Sequence, residues 1–302
     1  MKDKYRHVRL SRLCRLFGIT RQAYYQHYQY IELVCIEQEL VLKEVLHIRE
    51  RHRRMGGRKL YELLEPFMLE HQIKMGRDAL FHLLSENRLL VKRRKSKAKT
   101  TNSYHWFHKY PNRIKNFTPN KSNQLWVSDI TYWRINTGFV YISLITDAYS
   151  HKIVGYNLGT TLEAIECIKA LNRALNSLKQ VPENLIHHSD RGTQYCCSQY
   201  VKLLKDIHIE ISMTENGDPL ENAVAERING ILKDEYLECY EVENIEQATM
   251  LLDTVIKLYN EERPHMSIGN LTPRVVHESN VKAEKLWKSY YVKKEIKEVE
   301  MK

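Results

Sequence analysis

Three acidic residues stand at positions where their carboxylates have a chemical use. Asp129 lies inside an alternating, strand-like stretch where a charged carboxylate is out of character. Asp190 directly follows a short strand-like run, and Glu226 lies on a segment with helical periodicity. Carboxylates brought together repel one another unless divalent cations neutralise them, and oxygen ligands suit Mg²⁺ or Mn²⁺. Two such ions, about 3.5–4 Å apart, can assist in-line displacement at a phosphodiester.

The elements that must position these acids form an alternating series. Strands are predicted over residues 125–135, 139–146, 152–158, 185–189 and 209–213, and helices over residues 161–179, 198–206 and 221–236. This order describes a mixed five-stranded sheet flanked by helices, which matches the ribonuclease-H-like α/β architecture. In that topology the first and fourth strands are neighbours. Asp129 and Asp190 therefore converge, and the last helix brings Glu226 across them.

The predicted last helix carries a polar stripe. Glu226 and Lys233 are seven residues apart and share one face, with Asn222 and Asn229 close to the same stripe. Apolar residues take the opposite face. A polar stripe facing two carboxylates suits binding of a metal and a DNA backbone, although an ordinary solvated surface has the same periodicity.

Several sequence words resemble the integrase core of bacterial insertion-sequence transposases, most closely the OrfB-type chains. They are WVSDITY (126–132), DAYSHKIVG (147–155), HSDRGTQY (188–195), NAVAER (222–227) and the closing stretch 259–265 with Thr272 and Pro273. The resemblance implies that Asp129, Asp190 and Glu226 are the metal-binding catalytic acids, with 35 residues between the last two. It also implies that Lys233 touches DNA. Glu221 and Arg227 depart from the family pattern, and no C-x-x-C pair supports a retroviral-type zinc module.

Positive charge is concentrated in the first 120 residues, which hold 26 basic and 11 acidic side chains, whereas the remainder holds 21 and 26. Helices are predicted over residues 10–17, from Thr20 onward, and over 31–54, 58–70 and 77–87, which gives two helix-turn-helix candidates. We expect Arg21 and Arg58 to contact DNA, and the run Lys92, Arg93, Arg94 and Lys95 to bind phosphates. A solvated basic face or a plain linker remains the alternative.

The predicted organisation is a helical DNA-binding region (1–91), a basic linker (92–119), the integrase catalytic core (120–280) and a charged tail (281–302). At 43% hydrophobic and 28% charged residues, the composition excludes a disordered or membrane-embedded chain. We expect six reduced cysteines and a location in the bacterial cytoplasm, associated with the nucleoid.

The resemblance implies a DNA transposase that cleaves element ends and joins the freed 3′-hydroxyl to target DNA, using two Mg²⁺ or Mn²⁺ ions. The expected partners are terminal-repeat and target DNA, further copies of the chain, and an OrfA protein or an OrfA–OrfB fusion. Two alternatives remain: a non-catalytic, sequence-specific DNA-binding protein derived from a transposase, and a ribonuclease-H-like nuclease that cuts without joining. His187 and His188 cannot chelate one metal, because neighbouring strand residues face opposite ways. A structural role is expected for His187.

Overall fold

The computed structural model describes residues 7–92, 106–115, 117–215, 222–279, 281–282, 284 and 286. The chain divides into two compact units. One contains residues 1–51 and 56–91, and the other contains residues 52–55 and 92–302. None of the helices in these described stretches combines the length and the apolar character that crossing a lipid bilayer requires. All six cysteines are free thiols, as the sequence predicted.

The described residues of the first, helical unit form four helices, α1 (Leu10–Leu16), α2 (Arg21–Arg51), α3 (Gly57–Glu70) and α4 (Arg77–Glu86). The turn after α1 contains Gly18 with φ +64°, a conformation that glycine adopts without strain. Thr20 accepts a hydrogen bond from the Ala23 amide at 3.0 Å and thereby caps α2. The two helices predicted from Thr20 and over 31–54 are one continuous helix ending at Arg51, because no glycine, proline or cap interrupts the sequence between them.

Apolar side chains at helical spacing form the core of this unit. Leu60 and Leu64 of α3, one turn apart, are fully buried. The same is true of Val41 and Val45 of α2, while Leu80 and Leu84 repeat the spacing on α4. The N-terminal half of α2 is largely exposed.

The second unit is built on a five-stranded sheet. Its strands are β1 (Leu125–Ile135), β2 (Gly138–Asp147), β3 (Ile153–Gly159), β4 (Ile186–Ser189) and β5 (Glu210–Met213), in the spatial order β3-β2-β1-β4-β5. The first three strands are antiparallel, whereas β1 is parallel to β4 and β4 is parallel to β5. This topology confirms the predicted ribonuclease-H-like sheet and the adjacency of its first and fourth strands.

Helices cover both faces of the sheet. On one face lie α5 (Ala164–Asn176), α6 (Thr193–Cys196) and α7 (Ser198–Asp206), around a core that includes Trp126 and Val154. On the other lie α8 (Ala223–Ile231), its continuation as a π-helical turn (Leu232–Tyr236) and a 3₁₀ turn (Leu237–Cys239), and α9 (Ile245–Glu261). The last helix of the described residues, α10 (Pro273–Ser279), packs against α9. Sequence periodicity had not singled out α9.

Four residues that follow α2 belong to the second unit by their contacts. His52 is buried, and its Nδ1 shares a hydrogen bond of 2.8 Å with the Tyr236 hydroxyl. The Arg54 amide donates to the Glu235 carbonyl at 3.3 Å. Arg53 places its guanidinium 4.2 Å from the centre of the Tyr240 ring. The segment His52–Met55 is therefore attached to the π-helical turn that continues α8.

Gly155 on β3 is required by close packing with α5. A β-carbon there would overlap the Ala170 carbonyl oxygen and lie 2.7 Å from the Ala174 β-carbon. We expect Gly155→Ala to destabilise the second unit by about 3 kcal/mol, lowering its thermal midpoint by roughly 6–12 °C in a thermal-denaturation measurement. Gly230 on α8 is a matched control, because a β-carbon there meets nothing within 4 Å. Gly230→Ala should be neutral or stabilising by about 0.5–1 kcal/mol, and equal destabilisation by both changes would contradict this packing argument.

Candidate active site

Asp129, inside β1, lies beside Asp190, the residue that directly follows β4. The parallel register of β1 and β4 pairs Ser128 with Ser189, and each aspartate is the next residue along the chain. Adjacent strands are separated by about 4.8 Å. The structure therefore brings together these two acids, which stand 61 positions apart in the sequence.

The carboxylate of Asp129 is half-buried and carries uncompensated negative charge. Its Oδ1 accepts a hydrogen bond from the Ile130 amide at 2.9 Å, and its Oδ2 accepts one from the Asn229 side-chain amide at 2.8 Å. Burial is the main cause that raises the pKa of Asp129 to about 7, followed by the charge of Asp190 and, more weakly, by that of Glu226. The two hydrogen bonds only partly oppose this increase.

One face of α8 is directed at Ser128 and Asp129 of β1. Asn222, the residue before α8, donates a hydrogen bond to the Ser128 carbonyl at 3.1 Å, and Asn229 binds Asp129. Glu226 is four residues after the first asparagine and three before the second, so it lies on the same face. Its side chain is exposed. Among the described residues, no three His, Cys, Asp or Glu side chains are already close enough to surround one metal ion.

The groups around Asp129 nevertheless have the chemistry that a hard divalent cation requires. Asp129 and Asp190 supply carboxylate oxygens, and the side-chain carbonyl oxygens of Asn222 and Asn229 are buried without a hydrogen-bond partner among the described residues. All of these donors are oxygens, the ligand type that Mg²⁺ and Mn²⁺ prefer. The neighbouring carboxylates repel each other, and a bound cation is stabilised further because it relieves this repulsion. The residues therefore fit a divalent metal.

A buried polar network holds β4 beside β1. His187 Nε2 lies 2.7 Å from the Ser128 hydroxyl and 2.9 Å from the Tyr200 hydroxyl. His188 points the other way, with its Nδ1 2.8 Å from the Ser212 hydroxyl. Burial lowers the pKa of His187 to about 3, so this ring stays neutral at physiological pH. The opposite orientations of the two histidines were predicted from strand geometry, but their partners were not.

The proposed DNA contacts occupy several elements. Lys233 lies on the π-helical turn, with its Nζ 4.0 Å from the centre of the Tyr132 ring. Arg21 and Arg58 are exposed at the starts of α2 and α3 of the helical unit. Lys92 is exposed, and its carbonyl accepts a hydrogen bond from Arg54 at 2.8 Å. Arg93, Arg94 and Lys95 lie outside the described residues.

The closing stretch after α9 is structural. Arg263 is only 1% exposed and donates to both carboxylate oxygens of Glu235 at 2.8 Å. His265 is also buried, with its Nε2 2.8 Å from an Arg263 nitrogen. Burial opposes the charge of Arg263, but the hydrogen bonds and charge of Glu235 raise its pKa above the ordinary value. These buried contacts give the stretch a role in closing the core.

We expect Asp129→Asn to raise the thermal midpoint of the metal-free protein by several degrees at pH 8. Because folding raises the pKa of Asp129, the charged carboxylate lowers stability as pH rises from about 4, the value in the unfolded chain, to about 7. The difference between the two proteins should therefore be constant above pH 7 and disappear towards pH 4. Thermal denaturation in EDTA across this range is the measurement. A variant less stable than wild type at pH 8 would contradict the assignment of uncompensated charge.

The order and directions of the strands define a ribonuclease-H-like core, with Asp129 on β1 beside Asp190 directly after β4. Residues 119–219 and 207–273 each match a family model described as "Integrase core domain". A 31 kDa uncharacterized protein of insertion element IS600 from Shigella sonnei is 35% identical over 271 residues, covering 88% of this chain and 97% of that protein. The transposase for insertion sequence element IS629 from Shigella sonnei is 30% identical over 224 residues, 74% of each chain.

The chain therefore belongs to the bacterial insertion-sequence transposases that carry an integrase core domain. It is a DNA transposase, a polynucleotidyl transferase of the DDE type, and its chemistry depends on divalent cations. Among solved structures, the catalytic core domain of HTLV-2 integrase in complex with magnesium is 18% identical, with a TM-score of 0.42, and covers 52% of this chain and 97% of that one.

Proposed function

We propose that Asp129, Asp190 and Glu226 are the catalytic acids and that they hold two Mg²⁺ or Mn²⁺ ions. The observation that carries this proposal is the placement of Asp129 on β1 beside Asp190, directly after the parallel strand β4, where burial and then the charge of Asp190 raise the pKa of Asp129 to about 7. When bound, the ions would stabilise the charge that develops on the phosphodiester during displacement. Glu226 would complete the ligand set by turning its exposed side chain towards these two aspartates.

The remaining residues of the site position these acids. Asn229 holds one oxygen of Asp129 through its side-chain amide, and the Ile130 amide holds the other. Asn222 binds the β1 backbone and fixes α8 against the strand. Catalysis then depends on positioning and charge neutralisation. No protein side chain attacks the DNA, so no covalent protein–DNA intermediate forms.

The reaction we propose has two steps at the same site. Hydrolysis at an element end frees a 3′-hydroxyl, and this hydroxyl attacks a phosphodiester of the target, joining the strands. Lys233 binds the DNA backbone beside Glu226, since seven residues separate the two on continuous helical turns. Phosphates elsewhere on the DNA are bound by Arg21, Arg58, Lys92, Arg93, Arg94 and Lys95.

Joining two element ends requires that both be held at once, so we propose a homo-oligomer assembled on DNA at the bacterial nucleoid. We further propose that an OrfA protein, alone or as a fusion with this chain, contributes to recognition of the terminal repeats. Mass measurement of the chain with and without paired element ends, and with OrfA added, tests both points.

The test of the proposed reaction is a cleavage and joining assay. The purified full chain is incubated with DNA carrying the inverted repeats that flank its gene, with Mg²⁺, Mn²⁺ or EDTA. Metal-dependent release of a 3′-hydroxyl end and its joining to target DNA is the expected result. End binding without metal-dependent cleavage would identify a non-catalytic DNA-binding protein. Cutting of an RNA–DNA hybrid without joining would identify a nuclease.

A further inference from the structure

We propose that the exposed face of the β1–β2 hairpin is a stacking platform for an unpaired DNA base a few nucleotides from the cleaved phosphodiester. The platform consists of Tyr132, Arg134 and Phe139, with Lys233 at its edge. The inference rests on the proposed function, since it places the platform beside the site of DNA cleavage. It adds a binding site for a distorted or single-stranded segment of the DNA.

Within the part of the chain that the structure describes, the hairpin is covered on one face only. Side chains alternate along each strand, and Trp133, Ile135 and Val140 are buried in the core shared with α8 and α9. The register pairs Arg134 with Phe139, so these two side chains share the opposite face, and Tyr132 is two residues along the same face. The helix on that face, α5, packs against β2 and β3. Phe139 is left 53% exposed.

The exposed face combines aromatic rings with positive charge. The rings of Tyr132 and Phe139 meet edge to face, with centroids 5.7 Å apart and planes at 81°. Lys233 Nζ lies 4.0 Å from the centre of the Tyr132 ring, and the Arg134 guanidinium carbon lies 6.0 Å from that of Phe139. Aromatic rings accept stacked bases of any sequence, and neighbouring cations bind the flanking phosphates. The chemistry of the platform therefore matches a nucleotide strand.

The platform adjoins the acidic site at the edge of β1, which β4 pairs only as far as Ser128. Tyr132 is three residues beyond Asp129 on β1, about 10 Å along the strand, and its side chain is on the opposite face of the sheet. Lys233 follows α8 on the side of Asp129, and its Nζ reaches the Tyr132 ring at this edge. By the strand register, Phe139 lies about 17 Å from Asp129 along the hairpin. A single-stranded segment of a few nucleotides that passes Lys233 at this edge therefore connects the acids with Phe139.

The charges on this face favour DNA over a second copy of the chain. A two-fold symmetric contact places the same patch on both partners, so Arg134 and Lys233 would oppose the same cations. A fully paired DNA end is also a poor occupant, because its bases already stack on their neighbours. An unpaired base offers a free face and, in its strand, the phosphates that both cations require.

Phe139→Ala in the full chain tests the platform. Binding is measured by fluorescence anisotropy in EDTA with two hairpin oligonucleotides, one blunt and one ending in a short single-stranded thymidine tail. Wild type should bind the tailed hairpin more tightly than the blunt one. Phe139→Ala should weaken binding of the tailed hairpin about tenfold and leave the blunt hairpin unchanged. Phe139→Trp should restore the preference, because the larger ring also stacks.

Two further variants keep the test decisive. Met250→Ala removes an exposed apolar side chain of α9, 71% exposed, and should leave both affinities unchanged. Arg134→Gln changes a second exposed residue of the platform and should also weaken binding of the tailed hairpin. It tests the platform independently if Phe139→Ala reduces the amount of folded protein. Thermal midpoints of all variants establish that the folded proteins are being compared.

Several outcomes would overturn the platform. Equal effects of Phe139→Ala on both hairpins, or no effect on either, would show that Phe139 does not stack with an unpaired base. If light scattering shows that wild type is a dimer and Phe139→Ala is a monomer, this face is instead an interface between copies of the chain. Because EDTA prevents cleavage, binding is independent of catalysis. A wild-type chain that prefers the tailed hairpin but fails to cut DNA with Mg²⁺ would retain the platform and reject the catalytic proposal.

Discussion

Asp190→Asn is expected to abolish Mg²⁺-dependent cleavage and joining of element ends, with rates reduced by roughly a thousandfold or more. The substitution keeps the shape of the side chain but removes one of the two adjacent negative charges on which cation binding depends. A divalent ion contributes several kcal/mol of charge stabilisation to phosphoryl transfer, and each 1.4 kcal/mol corresponds to a factor of ten in rate. Single-turnover cleavage and joining assays measure the effect.

Two controls separate lost chemistry from lost folding or DNA binding. Asp206→Asn makes the same change at an exposed position on α7 and should leave activity unchanged. Asp190→Asn itself should bind element ends as wild type does, because the proposed DNA contacts are made by basic residues and not by Asp190. Full activity of Asp190→Asn in Mg²⁺ would reject the catalytic assignment, as would equal losses in the two variants.

Arg263→Met is expected to destabilise the second unit, which contains the integrase core, by about 3–5 kcal/mol, which lowers its thermal midpoint by roughly 10 °C. Both carboxylate oxygens of Glu235 accept hydrogen bonds from this buried guanidinium at 2.8 Å. The shorter, uncharged side chain removes those bonds but leaves the carboxylate of Glu235 in a site with little water. Because Glu235 lies on the π-helical turn that continues α8, the helix that carries Glu226 should become less well fixed.

The double variant Arg263→Met with Glu235→Leu is the informative comparison. Replacing both members of a buried ion pair by apolar residues is often nearly neutral, whereas removing one member is not. The double variant should therefore regain much of the stability lost by Arg263→Met alone. Thermal denaturation of wild type, both single variants and the double variant measures the coupling. Additive losses would show that the pair contributes little and that packing around Arg263 dominates.

Much of the sheet could be predicted because strands and acids leave strong local signals. The alternation in residues 125–135 predicts β1, and a carboxylate inside it marks Asp129 as unusual. Placing Asp190 beside it required only the order of the elements, which the structure confirms. The polar stripe of α8 likewise indicated the direction of Glu226, and Asn222 and Asn229 do contact β1.

Other features depend on contacts between distant segments and have no local signal. The network of Ser128, His187 and Tyr200 joins three elements, and no spacing in the sequence pairs them. The continuity of α2 was missed because two apolar patterns were interpreted separately. The exposure of Phe139 could not be anticipated, since alternation shows which residues share a face but not which face a helix covers.

The attachment of His52–Met55 has a consequence for how this enzyme can be taken apart. The chain crosses between its two units after Arg51, after Met55 and again after Val91. The helical unit therefore cannot be exchanged between relatives by joining their sequences at a single position. A truncated protein starting at the linker would leave Tyr236 without its 2.8 Å partner and would expose surface that His52 now covers. Laboratory excision of the nuclease-like portion should retain these four residues, for example as a grafted peptide.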